Sequence, residues 1–150
     1  MSNETIAVYT IGFSKKGAAA FFGKLEDAGV RCVIDVRLRN MSHLAGFTKR
    51  DDLRFFLRRI GNTNYVHVPE LAPTAALLDD YQKGKIDWPT YERRFNEIIA
   101  ERRIENLVTP EQLQDACLLC SEAEPAKCHR RLVAEYLQRQ WNNVRIRHIL

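Results

Sequence analysis

The sequence lacks any apolar run close to the roughly 20 residues that a membrane-spanning helix needs. Residues 1–5 also lack the basic and apolar segments of a secretory signal peptide, and the chain passes directly into the strand-like run IAVYTIGF. We therefore expect a cytoplasmic protein with no membrane partner.

Internal repeats and low-complexity tracts are also missing. Hydrophobic residues make up 45% of the chain and charged residues 28%, which is ordinary for a globular protein and excludes disordered, collagen-like and coiled-coil classes. A length of 150 residues fits one core. We predict a single domain over residues 1–150.

Cysteine is scarce, with four residues in the chain: Cys32, Cys117, Cys120 and Cys128. In a chain expected to be cytoplasmic, these are better interpreted as free thiols or metal ligands than as a disulfide framework. The formal net charge is only +4, but 16 arginines stand against 7 lysines. Because arginine suits bidentate contact with phosphate or carboxylate, anionic partners are permitted.

Five runs of β-branched and other apolar residues predict strands at residues 6–12, 31–37, 64–71, 116–122 and 144–150. Apolar residues at helical spacing cover residues 21–28, 53–60, 91–99 and 132–137. This alternation predicts an α/β fold with a mostly parallel central sheet of about five strands flanked by helices. A helical insertion around residues 72–115, with two helices joined near Gly84, could cover the strand ends as a lid.

Functional side chains in such a fold gather beyond the carboxyl ends of the strands. At the end of the first strand, Gly12 and Ser14 could let backbone N–H groups face an anion. At the end of the second, Asp35 and Arg37 share a side of the strand by two-residue alternation. A buried acid is costly unless it is paired or used, so we expect a functional role for Asp35, the alternative being a simple ion pair.

The stretch LLCSEAEPAKCHRR, residues 118–131, holds the densest group of reactive side chains. Cys117 and Cys120 should face opposite sides of a strand, which argues against a redox pair and assigns Cys117 to the core. Cys120 and Glu122 should share one side. Cys128, His129, Arg130 and Arg131 should open a helix, where the dipole and the guanidinium groups would lower the pKa of Cys128.

Two histidines look structural, namely His67 within a strand and His148 near the C-terminus. Glu70 lies near the end of the third predicted strand and is the better candidate for a site residue.

Taken together, YTIGFS, IDVR, a GF followed by a basic residue, YVHVPEL, and CSE followed by CHRR resemble the domain of unknown function 488 family. The resemblance covers essentially the whole chain and includes ELAPT and the Y-x-K-G-x-I-x-W-x-x-Y segment. It implies a compact, mainly prokaryotic α/β domain whose motif residues converge on one pocket, and it implies no known reaction. The motif positions are Gly12, Ser14, Asp35, Arg37, Ser42, Phe47, Tyr65, Glu70, Leu71, Cys120, Glu122, Cys128, His129 and Arg130. The chain departs from the family pattern at Phe13, where many members carry a histidine.

Three functional hypotheses follow. The first is an enzyme in which Cys120 or Cys128 is a nucleophile or redox thiol acting on a phosphate-, sulfur- or nucleotide-containing anion. Arg37 and Arg130 would hold that anion, with Gly12, Ser14, Ser42, Tyr65 and Glu70 as further substrate contacts. Proton transfer would fall to Asp35, Glu122 or His129.

The second hypothesis is a zinc or iron site built from Cys120, Cys128 and His129. It ranks lower, because adjacent residues diverge by about 100° on a regular helix. The third is a non-enzymatic module that binds nucleic acid or a nucleotide through arginines.

Overall fold

The computed structural model describes residues 5–41 and 46–150. Its five strands are β1 (Ile6–Gly12), β2 (Cys32–Asp35), β3 (Asn64–His67), β4 (Ala116–Cys120) and β5 (Val144–Ile149). Its helices are α1 (Ala18–Ala28), α2 (Arg50–Gly61), α3 (Ala75–Gln82), α4 (Trp88–Arg102), α5 (Pro110–Leu113) and α6 (His129–Gln140). Short 3₁₀ helices occupy Gly46–Thr48, Pro69–Leu71 and Ile104–Asn106.

The strands form one sheet in the order β3-β2-β4-β1-β5, and every neighbouring pair is parallel. The central strand β4 is buried at each of its five residues, as expected where helices cover both faces. α1 and α2 cover one face, and α3, α4 and α6 cover the other. The α/β prediction is confirmed.

The strand order creates a topological switch point between β1 and β4. From β1 the chain crosses to β2 by way of α1 on one face, whereas from β4 it crosses to β5 by way of α6 on the other. A crevice opens where two such connections leave in opposite directions, and ligands of α/β folds bind there. Gly12 and Cys120, paired in the β1–β4 register, mark this point.

The predicted helical insertion lies between β3 and β4. α3 begins after Thr74, whose side chain accepts a hydrogen bond from the backbone N–H of Leu77. α4 begins after Asp87, which caps its first turn through the N–H of Thr90. Gly84 joins them with a positive φ of 74°, which glycine adopts without strain. The short α5 was not predicted. Within the described residues, no helix is both long and apolar enough to cross a membrane.

Three strands end at least two residues earlier than predicted, at Asp35, His67 and Cys120. After β2 the chain bends so that the N–H of Arg37 donates to the Asp35 carboxylate. After β3, Pro69 opens a 3₁₀ helix. Two-residue alternation therefore does not govern Arg37, Glu70 or Glu122, which follow these strands.

Candidate functional site

A cavity of about 180 Å³ lies beyond the carboxyl end of β4, at the switch point and beneath α3 and α4. Its wall combines thiols, an imidazole, aromatic rings and charged groups. The lining residues are Arg37, Leu38, Arg39, Pro73, Leu78, Tyr81, Gln82, Trp88, Tyr91, Cys120, Ser121, Glu122, Lys127, Cys128 and His129.

Cys120 is the last residue of β4, and its buried sulfur lies 3.6 Å from Nδ1 of His129. The pKa of Cys120 is lower than that of an ordinary thiol, first because the Cys128 thiol donates a hydrogen bond to its sulfur. The Ser121 backbone N–H and the Arg130 guanidinium add to this lowering, and burial opposes it. The thiol that favours the ionised form is therefore Cys120.

Cys128 is the N-cap of α6 and has extended backbone angles, φ −138° and ψ 138°. Its pKa is raised well above the ordinary value, because its proton is held by Cys120 and because it is buried. The predicted lowering at Cys128 is thus wrong. The lowering effect of the nearby Arg130 guanidinium on the pKa of Cys128 is outweighed by the hydrogen bond that this thiol donates and by burial.

His129 is buried at the first position of α6, and its orientation is fixed. Nε2 lies 2.6 Å from the carbonyl oxygen of Val36. A carbonyl can only accept, so Nε2 carries a proton. The Cys120 sulfur lies 3.6 Å from Nδ1 and 3.9 Å from Nε2. The ring also packs edge-on against Phe95, with centroids 5.5 Å apart. One ligand atom each from Cys120, Cys128 and His129 lies within 4.8 Å of the other two.

Arg130 is fully buried and does not line the cavity. Its Nη1 donates to the carbonyl oxygen of Glu122 at 2.6 Å, and Nη2 donates to that of Ala123 at 3.3 Å. Nε has no partner, and among residues 5–41 and 46–150 no carboxylate forms an ion pair with this guanidinium. Arg130 therefore fixes the loop after β4 and places a buried positive charge near Cys120, instead of meeting an anion in the cavity as predicted.

Asp35 and Arg37 form a buried, two-point ion pair. Nε and Nη2 of Arg37 each donate to a carboxylate oxygen of Asp35 at 2.8 Å, and Nη2 also donates to the Thr48 carbonyl. The Tyr65 hydroxyl donates to the same carboxylate at 2.6 Å. The Asp35 carboxylate thus accepts hydrogen bonds from Arg37 and Tyr65 at both oxygens, a poor arrangement for the predicted proton transfer. Burial and this hydrogen bond raise the pKa of Tyr65, which does not line the cavity.

The anion cradle predicted after β1 does not form. The N–H of Phe13 donates to the Cys120 carbonyl and that of Ser14 to the Ser121 carbonyl, and α1 begins only at Ala18. Gly12 instead permits a close backbone approach, because a Cβ there would lie 1.6 Å from the carbonyl oxygen of Glu122.

The remaining predicted residues lie in different places. Glu122 lines the cavity with an exposed side chain. Glu70 is exposed, does not line the cavity, and accepts through its backbone carbonyl from Arg102. Ser42 lies outside the described residues. Nε2 of His67 lies 2.8 Å from the Arg37 carbonyl and Nδ1 of His148 lies 2.6 Å from the Thr10 hydroxyl, and neither residue lines the cavity.

Sequence reasoning missed the aromatic wall. Tyr81, Trp88 and Tyr91 contact one another with ring centroids 4.9 to 5.7 Å apart, and all three line the cavity. They belong to the Y-x-K-G-x-I-x-W-x-x-Y segment, so that spacing was the available signal. The charged residues Arg39 and Lys127 at the cavity were also missed, because both lie in loops without periodicity.

No curated protein and no solved structure matches the chain. One family model does, that of "Domain of unknown function DUF488", over residues 17–137. The matched segment runs from the start of α1 into α6 and contains Asp35, Arg37, Cys120, Cys128 and His129. Because the match spans well over half of the chain, the protein belongs to the DUF488 family.

Proposed function

We propose that this protein is an enzyme that acts on a small anionic substrate in the cavity, with Cys120, Cys128 and His129 as its chemical centre. The observation that carries the proposal is the contact of two buried sulfurs with an oriented imidazole at the switch point of the sheet. Thiolate and imidazole supply the nucleophile, the proton carrier or the metal ligands that catalysis requires.

The charge of the cavity supports an anionic substrate. Its lining holds three cationic side chains, Arg37, Arg39 and Lys127, and one carboxylate, that of Glu122. Arg37 is neutralised by Asp35, and Arg39 shares an exposed ion pair with Asp79. Lys127 is the cation of this wall that forms no ion pair within the described part of the chain.

The size and cover of the cavity favour a small molecule over a nucleic-acid strand. About 180 Å³ lies beneath two helices, and the buried arginines Arg37 and Arg130 bind groups of the protein itself. The aromatic wall from α3 and α4 adds an apolar surface that excludes water from the substrate.

A pair of matched reagents tests the proposal. Iodoacetate and iodoacetamide have nearly the same shape, but only iodoacetate is an anion. In metal-free, reduced protein, we expect the ratio of iodoacetate to iodoacetamide alkylation at Cys120 to exceed that at Cys32 by about fivefold. A fivefold ratio corresponds to about 1 kcal/mol, which is the interaction energy of two unit charges roughly 4 Å apart in water. Alkylation is followed by mass spectrometry of peptides that contain each thiol.

The Lys127→Gln variant should lower this ratio at Cys120. Lys24→Gln, which alters an exposed lysine of α1 on the opposite face of the sheet, should leave it unchanged. An equal ratio at Cys120 and Cys32 in the unmodified chain would contradict the proposal.

A further inference from the structure

We infer that Cys120, Cys128 and His129 bind one divalent metal ion of the zinc class through two Sγ atoms and Nδ1, with a fourth position open to the cavity. This inference rests on the proposed function, because it identifies the chemical centre at which the anionic substrate would bind.

The three donor atoms converge without any rearrangement of the backbone. They come from the end of β4 and the start of α6, and they lie within 4.8 Å of one another. The expected divergence of Cys128 and His129 applies only inside a regular helix. Because Cys128 is extended and α6 begins at His129, both side chains reach the same point.

The imidazole is oriented as metal-binding histidines usually are. Such a histidine donates its second ring N–H to a carbonyl or carboxylate, which fixes the tautomer and directs the free nitrogen toward the ion. In this protein Nε2 donates to the Val36 carbonyl at 2.6 Å. Nδ1 is consequently the nitrogen that is free to bind an ion, and it lies 3.6 Å from the Cys120 sulfur, compared with 3.9 Å for Nε2.

The donor types indicate which metal would bind. Two thiolates and an imidazole suit zinc and related borderline ions, whereas magnesium and calcium require oxygen ligands. Asp35 is not available as a fourth ligand, because Arg37 and Tyr65 occupy its carboxylate. Three protein ligands with one open position is the arrangement of catalytic zinc sites.

The surrounding charge connects the ion to the substrate. Two thiolates neutralise the charge of a divalent ion. The buried guanidinium of Arg130 has no compensating carboxylate among the described residues, so the centre keeps a net positive charge beside it. An anion at the fourth position would balance that charge. The centre would thus prefer an anionic ligand over a neutral one.

Titration of the metal-free, reduced full-length chain with Co²⁺ tests the inference. We expect thiolate-to-cobalt charge-transfer absorption that saturates at one ion per chain and disappears when Zn²⁺ is added. Loss of an outer-shell partner alone typically weakens metal affinity about 10–100-fold, so Cys128→Ser should weaken Zn²⁺ binding by at least about 100-fold. Cys32→Ser, which changes a half-buried thiol outside the cavity, should bind like the unmodified chain.

A second measurement covers the case in which Cys128→Ser does not fold. Zn²⁺ should protect Cys120 and Cys128 of the unmodified chain from iodoacetamide, while Cys32 continues to react. Absence of the charge-transfer band, or equal alkylation with and without Zn²⁺, would overturn the metal site. The charge selectivity of alkylation in metal-free protein would still hold in that case, so the two proposals fail separately.

Discussion

A hydrogen bond between the thiols of Cys120 and Cys128 moves their pKa values in opposite directions. Cys128 donates and keeps its proton, so its pKa rises. Cys120 accepts, and its pKa falls below the ordinary value despite burial. In metal-free protein the thiolate form of Cys120 should therefore persist to lower pH than that of a free cysteine, and it should be lost as the pH falls through its lowered pKa.

Removal of the donor thiol should reverse this effect. In Cys128→Ala we expect the pH midpoint of iodoacetamide alkylation at Cys120 to move upward, because the largest cause of the lowered pKa is lost. Cys128→Ser retains a hydroxyl donor and should retain most of the lowering. A midpoint that stays the same in Cys128→Ala would show that the hydrogen bond does not control ionisation of Cys120.

Gly12 is required by the close approach of two backbone segments. A Cβ at this position would lie 1.6 Å from the Glu122 carbonyl oxygen and 3.1 Å from Nη1 of Arg130. We expect Gly12→Ala to lower the free energy of unfolding by about 1–3 kcal/mol or more, because overpacking a core usually costs that amount.

Denaturant unfolding followed by circular dichroism measures this change. Gly23→Ala is the matched control, because a Cβ there meets nothing within 4 Å and Gly23 lies inside α1. Replacing a helical glycine with alanine should stabilise the protein by about 0.5–1 kcal/mol. Equal stabilities for the two variants would show that the loop after β4 is free to move.

At the scale of elements, α3 and α4 separate the chemical centre from solvent. Tyr81 of α3 packs on Trp88 and Tyr91 of α4, and Phe95 continues the same helix face onto His129. The start of α6, which carries the centre, is therefore packed against the insertion. Access to Cys120 should depend on the rings that line the cavity.

Trp88→Ala should widen the entrance to the cavity. We expect iodoacetamide to alkylate Cys120 of metal-free protein severalfold faster. The free energy of unfolding should fall by up to about 3 kcal/mol, because Trp88 is half-buried and truncation of a fully buried tryptophan costs about 3–5 kcal/mol. Trp141→Ala is the control, because Trp141 is also half-buried but lies away from this cavity. An equal change of the alkylation rate in both variants would indicate a general loosening of the fold.

For the whole molecule, the alternation of apolar patterns was sufficient to predict the parallel sheet, its helical cover and the insertion. β4 is the clearest case, because a strand buried at each residue shows as the continuous run ACLLC. The same pattern predicted that Cys117 enters the core on the face opposite Cys120, and the structure confirms it. The predicted strand end and helix start placed Cys120, Cys128 and His129 at one pocket, but helical periodicity wrongly suggested that Cys128 and His129 diverge, because Cys128 precedes α6.

The sequence could not predict how the charged residues are used, because their partners are distant backbone groups. The carbonyls of Glu122 and Ala123 bind Arg130, and those carbonyls carry no signature in the sequence. For Glu70, the predicted strand was too long, because β3 ends at His67 and Pro69 begins a 3₁₀ helix. The low pKa of Cys120 was likewise hidden, since it depends on a hydrogen bond between two elements.

The most direct test of the central claim, that Cys120 is the reactive group of the cavity, is the order in which the four thiols react. Metal-free protein is treated with iodoacetamide at neutral pH, and the modified cysteines are identified by mass spectrometry over time. Cys120 should react first, and Cys117 should stay unmodified because it is fully buried and its pKa is raised by burial. If the half-buried Cys32 reacts first and Cys120 is no faster than Cys117, the centre described here is not the functional site.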